Sequence, residues 1–320
     1  MSLFGVLSGA SDLDWAVDGA DWPNRAASRF VQAAGLRWHV QEFGQGPNVL
    51  LLHGAGASTH SWRDIAPRLA NDFRVVALDL PGHGFTQTPS AEGLTLDGMT
   101  KSIKALTQAL NFAPDVIVGH SAGAAIGLSL HLVGAASVRA IISLNGALSP
   151  FPGAAAQIFP LLAKLLFINP AAVSMFAWRA GQPGVVERLI QSTGSRLDAE
   201  GIAGYRKLLG SRRHIAATLG MMSGWDLLPL RSKLARIGVP VVLFAGETDA
   251  AVPPEVSREV ARLIPGARFE LLSGLGHLAH EEAPDAVVQR VRDAAEAGLA
   301  ASAPRCERDQ QREALRHVEA

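Results

Sequence analysis

A chain of 320 residues, 48% of them apolar, has the material for one large α/β domain with an insertion, or for two small domains. Its 29 Lys and Arg balance 29 Asp and Glu with no long basic run, which argues against nucleic acid as a partner. The single cysteine, Cys306, rules out an internal disulfide and fits a reducing compartment, and no continuously apolar stretch reaches the roughly 20 residues of a membrane span.

Residues 1–30 read as an N-terminal extension. Met1 to Leu7 is mildly apolar, but no basic residue precedes it and its apolar core is too short for a signal peptide, so a cytoplasmic protein is expected. Leu36 to Phe43 alternates with period two and suits an antiparallel edge strand. Buried-strand patterns follow at Asn48–Leu52, Arg74–Leu78, Asp115–Val118, Ala140–Leu144, Val239–Phe244 and Arg268–Leu272. Helical patterns fall at about 60–70, 96–111, 122–133, 253–264 and 284–300, the last with Pro284 in its first turn. Strand and helix alternate, which predicts an α/β fold: a mostly parallel central sheet flanked by helices.

The alternation stops between Gly146 and Pro229. Apolar helical segments there are punctuated by Pro150, Pro152, Pro160, Pro170 and Pro183, which predicts an inserted helical cap over 146–229. The core then comprises 31–145 and 230–301. Residues 302–320, rich in Arg, Glu and Gln, read as a disordered tail.

Residues 119–123 are Gly119-His120-Ser121-Ala122-Gly123, directly after Val116-Ile117-Val118 and directly before a helical pattern. G-x-S-x-G at a strand-to-helix junction is the pattern of a nucleophile elbow, in which a sharp turn lifts the serine above the sheet. Acyl transfer by serine further needs a base, a carboxylate that orients it, and donors for the oxyanion. Asp249 follows the strand ending at Phe244, and His277 follows the strand ending at Leu272. Catalytic groups of open parallel sheets gather at the C-terminal ends of the strands. The assignment is Ser121 as nucleophile, His277 as general acid and base, and Asp249 as its orienter. The oxyanion donors are expected to be the amide of Ala122, after the nucleophile, and the amide of Ala55 in the loop His53-Gly54-Ala55-Gly56.

Each residue has a plainer role open to it. Serine is a favoured helix cap, Asp226 is a rival acid, and His280 is a rival base that fits better as a brace of its loop. His53, His60 and His83 sit on separate loops without paired spacing, so they read as structural hydrogen-bonders rather than metal ligands. No metal and no cofactor is expected.

Together, His53-Gly54-Ala55-Gly56-Ala57-Ser58, Asp79-Leu80-Pro81-Gly82-His83-Gly84, the elbow, Gly246-Glu247-Thr248-Asp249 and Gly276-His277 resemble the α/β-hydrolase superfamily. The resemblance spans about 36 to 300, and serine at 121 separates the chain from the dehalogenase branch, which carries aspartate there. Asp21-Trp22-Pro23-Asn24-Arg25, His60 to Asp64, Asp79 to Thr86, Ser143 to Ala147 and Gly194-Ser195-Arg196-Leu197-Asp198 resemble, more narrowly, the magnesium-chelatase accessory proteins of bacteriochlorophyll synthesis. That resemblance implies a role around magnesium insertion into protoporphyrin IX, with magnesium chelatase as a partner, and does not define a reaction.

The cap agrees with a bulky ligand. Its segment Ile158 to Ile168 is crowded with apolar residues, and Gly146 to Arg213 holds eight Lys or Arg against three Asp or Glu. A basic, apolar lid suits a tetrapyrrole-like substrate with carboxylates, or peripheral contact with a membrane; ordinary lid packing accounts for the same pattern. The expected activity is hydrolysis of an ester or related acyl bond of a bulky apolar substrate. The alternative is a non-catalytic porphyrin-binding accessory on a hydrolase scaffold.

Overall fold

The structure is a computed structural model, and it describes residues 12–134, 138–150, 169–180 and 182–301. The apolar segment Ile158 to Ile168, the first residues of the chain and the tail with Cys306 lie outside the described residues.

Eight strands form one sheet in the order β1-β2-β4-β3-β5-β6-β7-β8: Ser28–Ala33, Leu36–Phe43, Asn48–Leu52, Arg74–Leu78, Val116–His120, Ala140–Leu144, Val241–Gly246 and Arg268–Leu272 for β1 to β8. β1 and β2 pair antiparallel, β2 joins β4 antiparallel, and every pairing from β4 through β8 is parallel. The parallel strands are apolar almost throughout because helices cover both faces of the sheet. Leu50, Leu52, Val76, Leu78, Ile117 and Leu243 face one side, with Ile103 and Leu106 of α2 (Leu96–Ala109), Ile126 of α3 (Ala122–Leu132) and Val260 of a later helix. Their sequence neighbours Leu51, Val75, Ala77, Val116, Val118 and Phe244 face the other side, with Ile65 and Leu69 of α1 (Ile65–Leu69) and Val291 of the C-terminal helix. Side chains one residue apart on a strand point to opposite faces, so two cores are packed from one set of strands.

Between β6 and β7 the described residues form only helices: α4 (Pro170–Ala180), α5 (Val185–Ser192), α6 (Ala199–Leu209), α7 (Arg212–Ser223) and α8 (Leu228–Arg231). After β7 come α9 (Pro254–Leu263), α10 (Ala279–Glu282) and α11 (Pro284–Ala301).

The structure departs from the sequence reading in three places. The edge strand is β1, which begins inside the expected N-terminal extension, and Leu36–Phe43 is the second strand. β1 escapes a hydropathy pattern because its residues are only partly buried. The helix expected over 60–70 divides into a 3-10 turn, Thr59–Trp62, and α1. Pro67 has no N–H to return to Arg63 O, which instead accepts a hydrogen bond from Asn24 Nδ2 at 2.9 Å. β7 begins two residues late because Pro240 cannot donate to the ladder, and it runs on to Gly246.

Candidate active site

Ser121 is the only residue between β5 and α3. Its backbone sits at φ +50° and ψ −117°, a conformation costly for any residue with a side chain. The turn is held by Ser121 N–H donating to Leu144 O (3.0 Å), while Ser121 O accepts from the amides of Ala124 (3.1 Å) and Ala147 (3.0 Å). The elbow also requires its glycines: a Cβ at Gly119 would overlap Gly123 O, and one at Gly123 would overlap Leu52 O. The serine side chain is half-buried, and among the described residues Oγ makes no hydrogen bond.

His277 and Asp249 meet at the same sheet edge. His277 Nδ1–H donates to Asp249 Oδ2 at 2.8 Å, which leaves Nε2 as the free nitrogen of the ring. The carboxylate is fully occupied: Asn145 Nδ2 donates to Oδ2 (2.8 Å), and the amides of Ala251 (2.9 Å) and Val252 (2.8 Å) donate to Oδ1. Four donors fix the position of the acid and stabilise its charge. Asp226 stands elsewhere, exposed at the start of α8, where it caps the Leu228 amide at 3.0 Å.

The loop after β3 lies against the elbow. A Cβ on Gly54 would stand 2.9 Å from Ser121 Cβ and 2.9 Å from His120 Nδ1. Ala55 follows in that loop, and Ala122 opens α3, where a first-turn amide has no intrahelical acceptor. Among the described residues neither amide is taken by a hydrogen bond. Both are available at the end of the sheet that carries Ser121.

The histidines around the site are neutral scaffolding. His53 Nδ1–H donates to Gly54 O (2.7 Å) and its Nε2 accepts from the Leu80 amide (2.9 Å), so it ties the Gly54–Ala55 loop to β4. Burial pushes it down to about 4. His83 donates to Pro81 O at 3.1 Å, and His60 pairs with Ser58 Oγ at 2.7 Å; burial holds both well below the ordinary imidazole value. His120, inside the elbow, donates from Nε2 to His277 O at 2.9 Å, and burial lowers it likewise. His280 is packed between the Trp62 ring (4.7 Å) and the His120 ring (4.5 Å), and burial pushes it down to about 3. Neither ring nitrogen of His280 has a hydrogen-bond partner among the described residues, so it packs its loop rather than bracing it through hydrogen bonds.

Two contributions to this site were given no role by the sequence reading. Asn145, at the end of β6 with φ +50° and within the Ser143–Ala147 segment named above, is one; its local signal is the Asn145-Gly146 turn pair. The backbone of Thr193 is the other, accepting at its carbonyl from both His277 N (3.3 Å) and Ala250 N (3.1 Å).

The sequence matches the alpha/beta hydrolase fold family over residues 47–284, and the chain belongs to that family. Among proteins it resembles, the magnesium-chelatase 30 kDa subunit of Rhodobacter capsulatus is 38% identical over 276 residues, covering 86% of this chain and 96% of that one. The 2-hydroxy-6-oxo-6-(2'-aminophenyl)hexa-2,4-dienoic acid hydrolase of Metapseudomonas resinovorans is 29% identical over 265 residues, covering 80% and 87%. A solved esterase from Thermogutta terrifontis shares the fold, with a TM-score of 0.67 at 24% identity over 85% of this chain and 98% of that one. Among the described residues no helix is long and apolar enough to cross a membrane, and no group of three or more His, Cys, Asp or Glu could hold a metal ion.

Proposed function

We propose that this protein is a serine hydrolase that cleaves an ester or related acyl bond of a bulky apolar substrate, and that it serves bacteriochlorophyll synthesis near magnesium insertion. The observation that carries the chemistry is the Asp249–His277 hydrogen bond at the sheet edge that also bears the strained Ser121. In this reading Ser121 Oγ attacks the acyl carbon while His277 Nε2 takes the hydroxyl proton. The tetrahedral oxyanion accepts hydrogen bonds from the amides of Ala55 and Ala122, each worth about 3–4 kcal/mol in the transition state. His277 returns the proton to the departing alkoxide, and the same nitrogen then deprotonates the water that releases the acid from Ser121. Asp249 holds the ring in the tautomer this requires and stabilises the imidazolium between steps.

The pathway assignment is supported by the similarity to the Rhodobacter capsulatus subunit. The same similarity supports a second reading, a porphyrin-binding chelatase accessory with no reaction of its own. The helical region after β6 is the proposed cap, and it offers peripheral membrane contact to either reading: Met175 and Trp178 on α4 and Leu189 on α5 are exposed beside Arg179 and Arg188. The deciding experiment is labelling of the purified protein with a fluorophosphonate probe, alongside Ser121→Ala and His277→Ala. Labelling lost in both variants supports the hydrolase. A folded wild type that resists the probe but binds protoporphyrin supports the accessory.

A further inference from the structure

We infer that the segment Thr193–Ser195, which joins α5 to α6, is a positioning element for the acid–base pair; the inference rests on the hydrolase reading above. Two catalytic loops, one after β7 and one after β8, must be held in register to within a fraction of an ångström, and they are joined side chain to side chain through Asp249 and His277. The helical region supplies their backbone tie. Thr193 O accepts from the amide of His277 and from the amide of Ala250, the residue after the acid. Two residues on, Ser195 Oγ accepts from the amide of Leu278 at 2.8 Å, so His277 is gripped on both sides.

Gly194 sits between those anchors at φ +84°, and a Cβ there would overlap Thr248 O. Gly276 presses back from the other side: a Cβ on it would lie 2.6 Å from Ser195 N. Three backbones are therefore in direct contact, which only glycine at the crossing points permits. Ser195 is fully buried. The motif Gly194-Ser195 thus does a specific job, and it makes the geometry of Asp249 and His277 depend on where the helical region sits.

The test compares Ser195→Ala, Ser195→Thr and Gly194→Ala with wild type by the rate and pH profile of fluorophosphonate inactivation, and by the downfield proton resonance of His277 Nδ1–H, assigned by its absence from His277→Ala. Ser195→Ala is expected to slow inactivation about 10-fold, to displace the midpoint of the pH profile and to shift or broaden the downfield proton; Ser195→Thr, which keeps the hydroxyl, restores most of all three. Gly194→Ala goes further in the same direction. Should it not fold, the serine pair decides alone. Wild-type rate, midpoint and resonance in Ser195→Ala would overturn the inference. A wild type that takes no label defeats the hydrolase reading instead, and the resonance then decides the positioning role by itself.

Discussion

Among the described residues are two buried Asp–His pairs with the same bond length and different surroundings. His39 Nδ1 meets Asp79 Oδ2 at 2.8 Å, and His277 Nδ1 meets Asp249 Oδ2 at 2.8 Å. The first pair even has a serine, Ser28 Oγ, at 3.0 Å from His39 Nε2, so it forms a complete Ser–His–Asp chain of hydrogen bonds. Yet Ser28 lies on edge strand β1 in ordinary extended pairing, and its Oγ also accepts from Gln41 Nε2 at 3.1 Å. Trp15, Phe30 and Phe85 pack around the His39 ring, whose side chain is 0% exposed. Asp79 accepts in addition from the amides of Thr59 (2.7 Å) and Phe85 (2.9 Å). Burial alone would raise its carboxyl, but His39, His53 and the Phe85 amide outweigh that and hold it well below the usual range. The Asp79 pair is a fastener that ties β1 and β2 to the loop after β4. The Asp249 pair keeps one imidazole nitrogen without a hydrogen bond among the described residues, at the sheet edge that also bears Ser121 with its backbone at φ +50°. An Asp–His hydrogen bond is common to both, so the difference lies in whether the far nitrogen is already hydrogen-bonded.

The largest effects should separate the pairs. Ser121→Ala is expected to abolish fluorophosphonate labelling, and Ser28→Ala to leave its rate unchanged; a loss of labelling in the second variant would mean that the wrong serine has been assigned. Asp249→Asn should cut turnover by about 10⁴, because an amide favours the wrong tautomer of the base. Asp226→Asn should have no effect, and comparable losses in the two would remove Asp249 from its role. Asp79→Asn belongs to stability: it breaks a buried, charge-assisted network, which costs about 3 kcal/mol, read as a lowered denaturation midpoint in urea. An undiminished midpoint would show that the pair fastens nothing.

Acid pH provides a weaker and more distributed test. His214, buried on α7 with Nδ1 accepting from the Gly84 amide (3.1 Å) and Nε2–H donating to Gly56 O (3.1 Å), is pushed down to about 4 as His53 is, and His280 to about 3, because burial disfavours their charged forms. The unfolded chain takes up these protons near 6.5 and the folded chain does not, so stability is full above that pH and falls as pH drops from 6.5 towards 4. Glu281 acts in the opposite direction. Burial pushes it up to about 7 against the pull of Arg63 and Tyr205, so its ionisation costs stability as pH rises from 4.5 to 7. These three histidines, together with His60, His83 and His120, which burial holds down in the same direction, outweigh one glutamate, and the thermal midpoint should be lower at pH 5 than at pH 7.5. A flat or inverted profile would refute the neutral histidine scaffold. The smallest effect is expected for Ser28→Ala on stability, about 1 kcal/mol for one hydrogen-bonded serine.

Much of this architecture is local information. The run Val116-Ile117-Val118 before Gly119-His120-Ser121-Ala122-Gly123 specifies a buried strand, a turn that only glycines allow, and a helix start, all within a dozen residues. The loops bearing Asp249 and His277 follow apolar strand patterns in the same way, which is why their place at the sheet edge was legible from periodicity. β1 was not legible, because a half-buried edge strand draws its stability from pairing with β2 rather than from its own pattern.

By itself, then, the sequence determined the α/β alternation, the strand that carries each loop of the site, and the glycine-dependent turn at Ser121. Only the tertiary structure decided that Asn145 holds Asp249 across 104 residues, that Ser195 holds the His277 loop across 83, and that the far nitrogen of His39 is hydrogen-bonded to Ser28. The physical reason is the range of the forces. Backbone sterics and hydropathy act over a few residues and leave a period in the sequence, whereas a hydrogen bond between distant loops depends on how the whole sheet and its helices pack, and leaves none.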